Sequence, residues 1–390
     1  MIKKLKISER NVIGIDASRN RSGGAQAHLI GILSEMDPVE YGVEFVHVWS
    51  FRALLDKIPD RTFIIKHNPI ELERSLLRQL FWQANSLSRE AKKAGCDIIF
   101  STDSSTVCDF KPMVVLSQDL LSYEPGIMRH YGFGLARLRL LAILVIQNLA
   151  FRRSAGVIFL TRYSANLIQK SCGTLSNYVI IPHGVDPIFK KNKHKNEWPS
   201  AAGNPIQFLY VSNADMYKNQ WCVVEAVSIL SKRGYKVKLT LVGGGSGPAY
   251  KLVQDSILKY DPAGTLVEQK DFLLHSSLAE LYATADLFIF ASSCENMPVT
   301  LIEAMSAGLP IACSERGPMP EVLGSGGIYF DPVDPISIAN AIEKIMQSNE
   351  LRKSISDRSY ALSEQYNWKR CADETMTYIV NVLRNFRNEY

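Results

Sequence analysis

Short, nearly unbroken apolar runs recur along the chain, and they restrict its architecture more than any other feature. "NVIGIDAS" (11–18), "GVEFVHVWS" (42–50), "CDIIFST" (96–102), "PMVVLSQ" (112–118), "AGVIFLT" (155–161) and "NYVIIPHG" (177–184) are rich in Val and Ile and bounded by turn formers, as strands are. A second set follows: "IQFLYVS" (206–212), "KVKLTLVGGG" (236–245), "GTLVEQKDF" (264–272), "DLFIFAS" (286–292), "LPIACS" (309–314) and "GIYFDP" (327–332). Helical patterns such as "ELERSLLRQLFWQANSLSREAKKAG" (71–95), "NQWCVVEAVSILSKRG" and "SLAELYATA" lie between them. Strands apolar on both faces, alternating with helices, imply parallel sheets covered on both sides.

At 390 residues the chain is too long for one ordinary core and suits two doubly wound domains. The polar, basic stretch "DPIFKKNKHKNEWPSAAGNP" (186–205) reads as the joint. This places an N-terminal domain at 1–188 and a second at 189–371, with a last helix (372–390) returning to the first. A composition of 46% hydrophobic and 21% charged residues is that of a globular protein, and a net charge of +5 does not call for nucleic acid. The seven cysteines are scattered, with no C-x-x-C pair, which fits buried thiols in a reducing compartment. The basic N-terminus has too short an apolar run for a signal peptide, and the longest central apolar run, 140–151, is too short to cross a membrane. A cytoplasmic protein is expected.

The most informative chemistry lies in "CENMPVTLIEAMSAGLP" (294–310), where Glu295 and Glu303 stand eight positions apart after an apolar strand. Asn296 or Glu295 can cap the following helix, Pro298 suits its first turn, and Gly308 ends it. The N–H groups around Met297, Pro298, Val299 and Thr300 then make an anion site at a strand's carboxyl end, although Pro298 itself has none to give. The rise from Val299 to Glu303, about 6 Å, is roughly the reach from a diphosphate to the ribose that carries it. Taken singly, Glu295 also reads as a plain cap and Glu303 as an exposed helix residue.

With these residues in view, the E-x7-E stretch resembles the signature of the retaining, nucleotide-sugar-dependent glycosyltransferases of family 4, which have the GT-B fold of two Rossmann-like domains facing a cleft. "SGGAQAHLIGIL", "YVIIPHGVDPIF", "FLYVSNADMYKNQWCVVEAVSIL", "LTLVGGGSG" and "GIYFDPVDPISIANAI" resemble further segments of that family in the same order. The resemblance implies that Lys218 grips the donor diphosphate, that Glu295 binds the donor sugar and that Glu303 binds the ribose. It implies that Gly23 and Gly24 let backbone approach the phosphate or sugar, and that Gly243 to Gly247 form a tight turn under the nucleotide. Two positions depart from the family: Asn213 stands near where an arginine is common, and Gln118 with Asp119 where His-Asp is common. The latter pair become candidate contacts to sugar or acceptor.

No D-x-D is present, so neither a metal nor another cofactor is expected; because no second carboxylate stands opposite Glu295, front-face transfer without a protein nucleophile is expected. The implied function is retaining hexosyl transfer, with mannose favoured, from a GDP- or UDP-sugar to a lipid-linked or oligosaccharide acceptor in O-antigen-like surface polysaccharide synthesis. A nucleotide-sugar epimerase or hydrolase of the same fold, or a non-catalytic nucleotide-sugar-binding protein, are the alternatives.

One span stands apart. Between Glu124 and Asp186 there is no acid, while Arg129, Arg137, Arg139, Arg152, Arg153, Arg162 and Lys170 occur. Residues 128–156 read either as a core helix with a basic edge or as a helix lying on the anionic inner face of the cytoplasmic membrane.

Overall fold

A computed structural model describes residues 10–21, 23–132, 134–191, 198 and 203–389. Its strands are β1 (Asn11–Asp16), β2 (Val43–Trp49), β3 (Ile64–His67), β4 (Ile98–Ser101), β5 (Met113–Leu116), β6 (Gly156–Phe159), β7 (Tyr178–Ile180), β8 (Ile206–Val211), β9 (Val237–Val242), β10 (Val267–Lys270), β11 (Leu287–Phe290), β12 (Ile311–Ser314) and β13 (Ile328–Phe330). The helices are α1 (Gly23–Glu35), α2 (Arg52–Leu55), α3 (Leu76–Asn85), α4 (Leu87–Lys93), α5 (Leu135–Arg153), α6 (Arg162–Cys172), α7 (Pro187–Lys191), α8 (Gln220–Lys232), α9 (Pro248–Tyr260), α10 (His275–Thr284), α11 (Val299–Ser306), α12 (Met319–Leu323), α13 (Pro335–Gln347), α14 (Asn349–Ser363) and α15 (Trp368–Glu389).

Two compact units result, one of residues up to Gly184 together with those from Trp368 on, the other Val185–Asn367. The first holds a seven-stranded sheet ordered β3-β2-β1-β4-β5-β6-β7, the second a six-stranded sheet ordered β10-β9-β8-β11-β12-β13. Every strand pairing in both is parallel. The central strands β4, β5, β6, β11 and β12 are buried along their whole length, as their apolar composition requires. Strand order reverses between β1 and β4 in one sheet and between β8 and β11 in the other, which opens a crevice at each carboxyl edge.

Three expectations are corrected. The domain boundary at 188/189 falls inside α7, which belongs wholly to the second unit: its Phe189 is fully buried, edge-on to the rings of Tyr282 and His275 at 5.2 and 5.0 Å. The second boundary moves from 371/372 to 367/368, because α15 already starts at Trp368. The helix expected over 71–95 is broken at Ser86 into α3 and α4, and β3 was not anticipated. The basic start of the chain (1–9) and half of the basic joint (192–197 and 199–202) lie outside the described residues.

α15 packs on α1 within the first unit. A Cβ at Gly31 would come within 2.3 Å of the Trp368 ring, so the two helices meet at a distance only glycine permits. Tyr41 donates to Asp373 at 2.8 Å, and Arg387 to Asp97 at 2.6 Å. All seven cysteines are buried and none is in a disulfide. Among the described residues no helix is long and apolar enough to cross a membrane.

The α1–α15 seam also buries two imidazoles. His28 and His183 meet edge to face at 4.6 Å, flanked by Trp368. Burial holds His28 well below its ordinary pKa and lowers His183 to about 3. In the unfolded chain both take up a proton near pH 6.5. Because the unfolded chain binds more protons below that value, the stability these groups contribute is present above pH 6.5 and is lost as pH falls towards 3. The His183→Gln variant should therefore show a shallower fall in thermal midpoint between pH 7 and 5 than the wild type. Equal slopes would remove the buried histidines as the cause.

Candidate active site

The second unit's site is built at its strand-order reversal. After β8 the chain turns through Asn213 and a short 3-10 helix, Met216–Lys218, before α8; after β11 it runs through Ser292–Pro298 into α11. Asn219 ties the two loops together. It adopts a left-handed backbone (φ +50°), unusual for a residue with a side chain, and its amide donates to the Ala291 carbonyl at 2.9 Å and to Ser293 Oγ at 2.7 Å. The Ser293 N–H donates to the Tyr217 carbonyl at 2.7 Å, and the buried Tyr210 hydroxyl donates to the Lys218 carbonyl at 2.5 Å.

This scaffold brings Lys218 and Glu295 into an ion pair, with their side chains 13% and 14% exposed. The sequence suggested separate ligand contacts for these residues; in the structure they satisfy each other. The Lys218 ammonium also lies 5.1 Å from the Tyr217 ring centre. Neighbouring loops are held just as closely. A Cβ at Gly243 (φ +130°) would lie 2.5 Å from the Ser212 carbonyl oxygen, so the turn after β9 packs directly on the chain preceding Asn213. Asn213 itself is exposed.

α11 starts at Val299 with Pro298 in the capping position and no side chain capping it, so the expectation of an Asn296 or Glu295 cap is wrong. Glu295 is taken up by Lys218, and Asn296 and Met297 are buried. The carbonyl of Pro298 accepts from Leu301 and Ile302, leaving the first turn of the helix pointing at the loop. Glu303, one turn on, is a buried carboxyl and not an exposed helix residue. The Tyr282 hydroxyl donates to its Oε2 at 3.0 Å and lies 3.1 Å from the Thr300 carbonyl. Burial pushes the Glu303 pKa up to about 8, against the opposing effect of the Tyr282 bond and with a further rise from Asp186. An arginine follows β12: Arg316 pairs with Asp331 at 2.7 Å, and a Cβ at the adjoining Gly317 would lie 3.9 Å from the Glu295 nitrogen.

In the first unit, Gly23 and Gly24 open α1, and a Cβ at either would meet nothing within 4 Å. Gln118 and Asp119 follow β5. Asp119 accepts from the Leu121 N–H at 2.9 Å and is raised in pKa by burial, and Gln118 keeps a buried amide nitrogen without a partner. At the end of β1 the buried Asp16 accepts from Ser18 Oγ at 2.7 Å and Gln83 Nε2 at 2.6 Å, which fixes the turn leading towards Gly23.

Asn219, Tyr282, Arg316 and Asp16 escaped the sequence reading. An Asn directly before a helical pattern was a usable signal for Asn219; the others gain meaning only through contacts distant in sequence. Among the described residues no three His, Cys, Asp or Glu side chains are grouped so as to hold a metal ion.

Residues 191–362 match the family model described as glycosyl transferases group 1. The chain is 27% identical over 172 residues to the O-antigen chain mannosyltransferase B of Escherichia coli, over 43% of this chain and 44% of that protein. The chain thus spans under half the length of that curated relative. Among solved structures, the sucrose-phosphate synthase of Thermosynechococcus elongatus superposes with a TM-score of 0.74 at 16% identity, over 98% of this chain and 100% of that one. HepE of Anabaena in complex with UDP-glucose superposes with a TM-score of 0.68 at 20% identity, over 94% and 99%.

The ion pair can be tested without any ligand. Removing one member of a mostly buried pair leaves the other uncompensated, at a cost of up to about 3–5 kcal/mol. Lys218→Met should therefore lower unfolding stability in urea, and Lys218→Met with Glu295→Leu should recover most of the loss. A double variant no more stable than the single would show that the two charges are not coupled. The paired sheets and these superpositions give the chain the GT-B fold of two Rossmann-like domains.

Proposed function

We propose that the chain is a glycosyltransferase that moves a hexose from a nucleoside-diphosphate sugar to a saccharide acceptor, with retention at the anomeric carbon. The observation that carries this reading is the Lys218–Glu295 pair at the β8/β11 crevice, beside the uncapped start of α11. A lysine and a helix N-terminus together are an anion site, and a carboxylate poised beside them is a hydroxyl acceptor. The group 1 glycosyl transferase match over 191–362 supports the same assignment.

In this reading the donor diphosphate takes Lys218 from Glu295. The ammonium and the first N–H groups of α11 then face the phosphates, and the released Glu295 accepts from the sugar hydroxyls. Glu303, held by Tyr282, receives the ribose hydroxyls. The bond between the anomeric carbon and the phosphate oxygen breaks as the acceptor oxygen bonds to the same face of that carbon. The leaving phosphate oxygen takes the acceptor's proton. Lys218 and the helix N-terminus offset the charge that develops on the leaving group, the part a metal plays elsewhere. Gln118 and Asp119 are assigned to acceptor or sugar contacts, with Gly23, Gly24, Asn213 and residues 296–299 assigned to the donor.

The donor is a GDP- or UDP-hexose. Likeness to a mannosyltransferase favours mannose, and HepE, solved with UDP-glucose, supports a nucleotide-sugar. The acceptor is a lipid-linked or oligosaccharide chain of an O-antigen-like polysaccharide.

Labelled donors incubated with and without acceptor test the reading: acceptor-dependent transfer supports it, whereas release of free sugar or an epimer irrespective of acceptor contradicts it. Glu303→Ala and Tyr282→Phe should weaken nucleotide binding, the first by about 1.5–3 kcal/mol, with turnover at saturating donor little changed. Lys218→Met should lower kcat by about 10²–10³. Unchanged nucleotide affinity in Glu303→Ala would refute the ribose assignment. Transfer should also survive EDTA; loss that manganese restores would refute the metal-free mechanism.

A further inference from the structure

α5 is apolar on both of its faces. Its inward face carries Leu140, Gln147, Ala150 and Phe151, and the Gln147 amide donates to Ser105 Oγ at 3.3 Å. Its outward face carries Leu135, Leu138, Leu141, Val145 and Leu149, which are 43% to 85% exposed. Their spacing of three and four residues puts them in one stripe along the helix. A helix facing water carries polar residues on that side. At about 100° per residue, Arg139 and Arg153 fall along one border of the stripe and Arg137 along the other, with Arg152 within the stripe at its C-terminal end. Arg139 and Arg153 are exposed, whereas the Arg152 guanidinium is bound to the Cys172 carbonyl at 2.5 Å.

We propose that this outward face of α5 docks on an anionic lipid bilayer. Leu138, Leu141, Val145 and Leu149 enter the boundary between headgroups and acyl chains, and Arg139 and Arg153 meet the lipid phosphates. Charge selects this occupant. No acid occurs between Glu124 and Asp186, so α5 and α6, which packs beside it, carry only basic charge; the half-buried Asp119 after β5 faces Arg139 and leaves Arg153 uncompensated by any acid of that span. A second copy docking through the same face about a two-fold axis would bring arginine borders together. The inference stands on α5 alone and does not depend on the transfer reading.

The test is sedimentation of the full chain with vesicles of phosphatidylcholine, with and without phosphatidylglycerol. Binding is expected with phosphatidylglycerol, weakening as salt rises. Arg139→Gln with Arg153→Gln should reduce it about thirtyfold, from about 1 kcal/mol per basic residue. Leu141→Gln with Val145→Gln should abolish it while leaving the thermal midpoint unchanged, since both side chains are already solvent-exposed. Equal binding to both vesicle types would overturn the proposal. So would failure to bind either, accompanied by a concentration-dependent dimer that the Leu141/Val145 variant dissociates.

Discussion

A parallel strand can be followed by its neighbour only after the chain has crossed back over the sheet, so every strand in such a sheet ends at the same edge. This constraint governs both units. It places the loops after β8, β9, β11 and β12 side by side, though neighbours in the sheet are separated by one to three helices and up to about eighty residues of chain. The central strands β4, β5, β6, β11 and β12 are buried along their whole length. The carboxyl edge is where polar groups collect, and the order reversal between β8 and β11 is where two loops part and leave room.

At that edge the electrostatics are those of a site held ready. Lys218 and Glu295 neutralise each other at little exposure, and Glu303 is kept in an environment that disfavours its charge. Neither arrangement is the best use of these groups for stability alone, since apolar residues of similar volume would fill the space without the desolvation cost. Asn219, in a strained backbone conformation, holds the lysine and glutamate loops together, and Tyr282 orients the second acid. The left-handed backbone of Asn219 is a local cost met at this carboxyl edge.

How much of this was legible follows from which interactions are local. The apolar runs announced nearly every strand because burial on both faces needs no knowledge of partners. β3 escaped, being four half-buried residues at a sheet edge that carry Lys66 and His67. The spacing of Glu295 and Glu303 was visible, but not that one would be paired and the other buried, since both fates depend on residues 77 and 21 positions away. The joint at 188/189 failed for a similar reason: α7 looks like part of a polar linker until Phe189 is seen between Tyr282 and His275. For α5, composition left core and surface readings level. Only the burial of Gln147 opposite an exposed stripe separates them.

The claim on which the account rests is that a nucleoside diphosphate exchanges places with Glu295 at Lys218. A crystal structure of the chain with a nucleoside diphosphate bound tests this directly. The account predicts a phosphate oxygen within hydrogen-bond distance of Lys218 Nζ, Glu295 parted from it, and Glu303 at the ribose hydroxyls. A nucleotide bound with the Lys218–Glu295 pair intact, or one seated away from the start of α11, would contradict it.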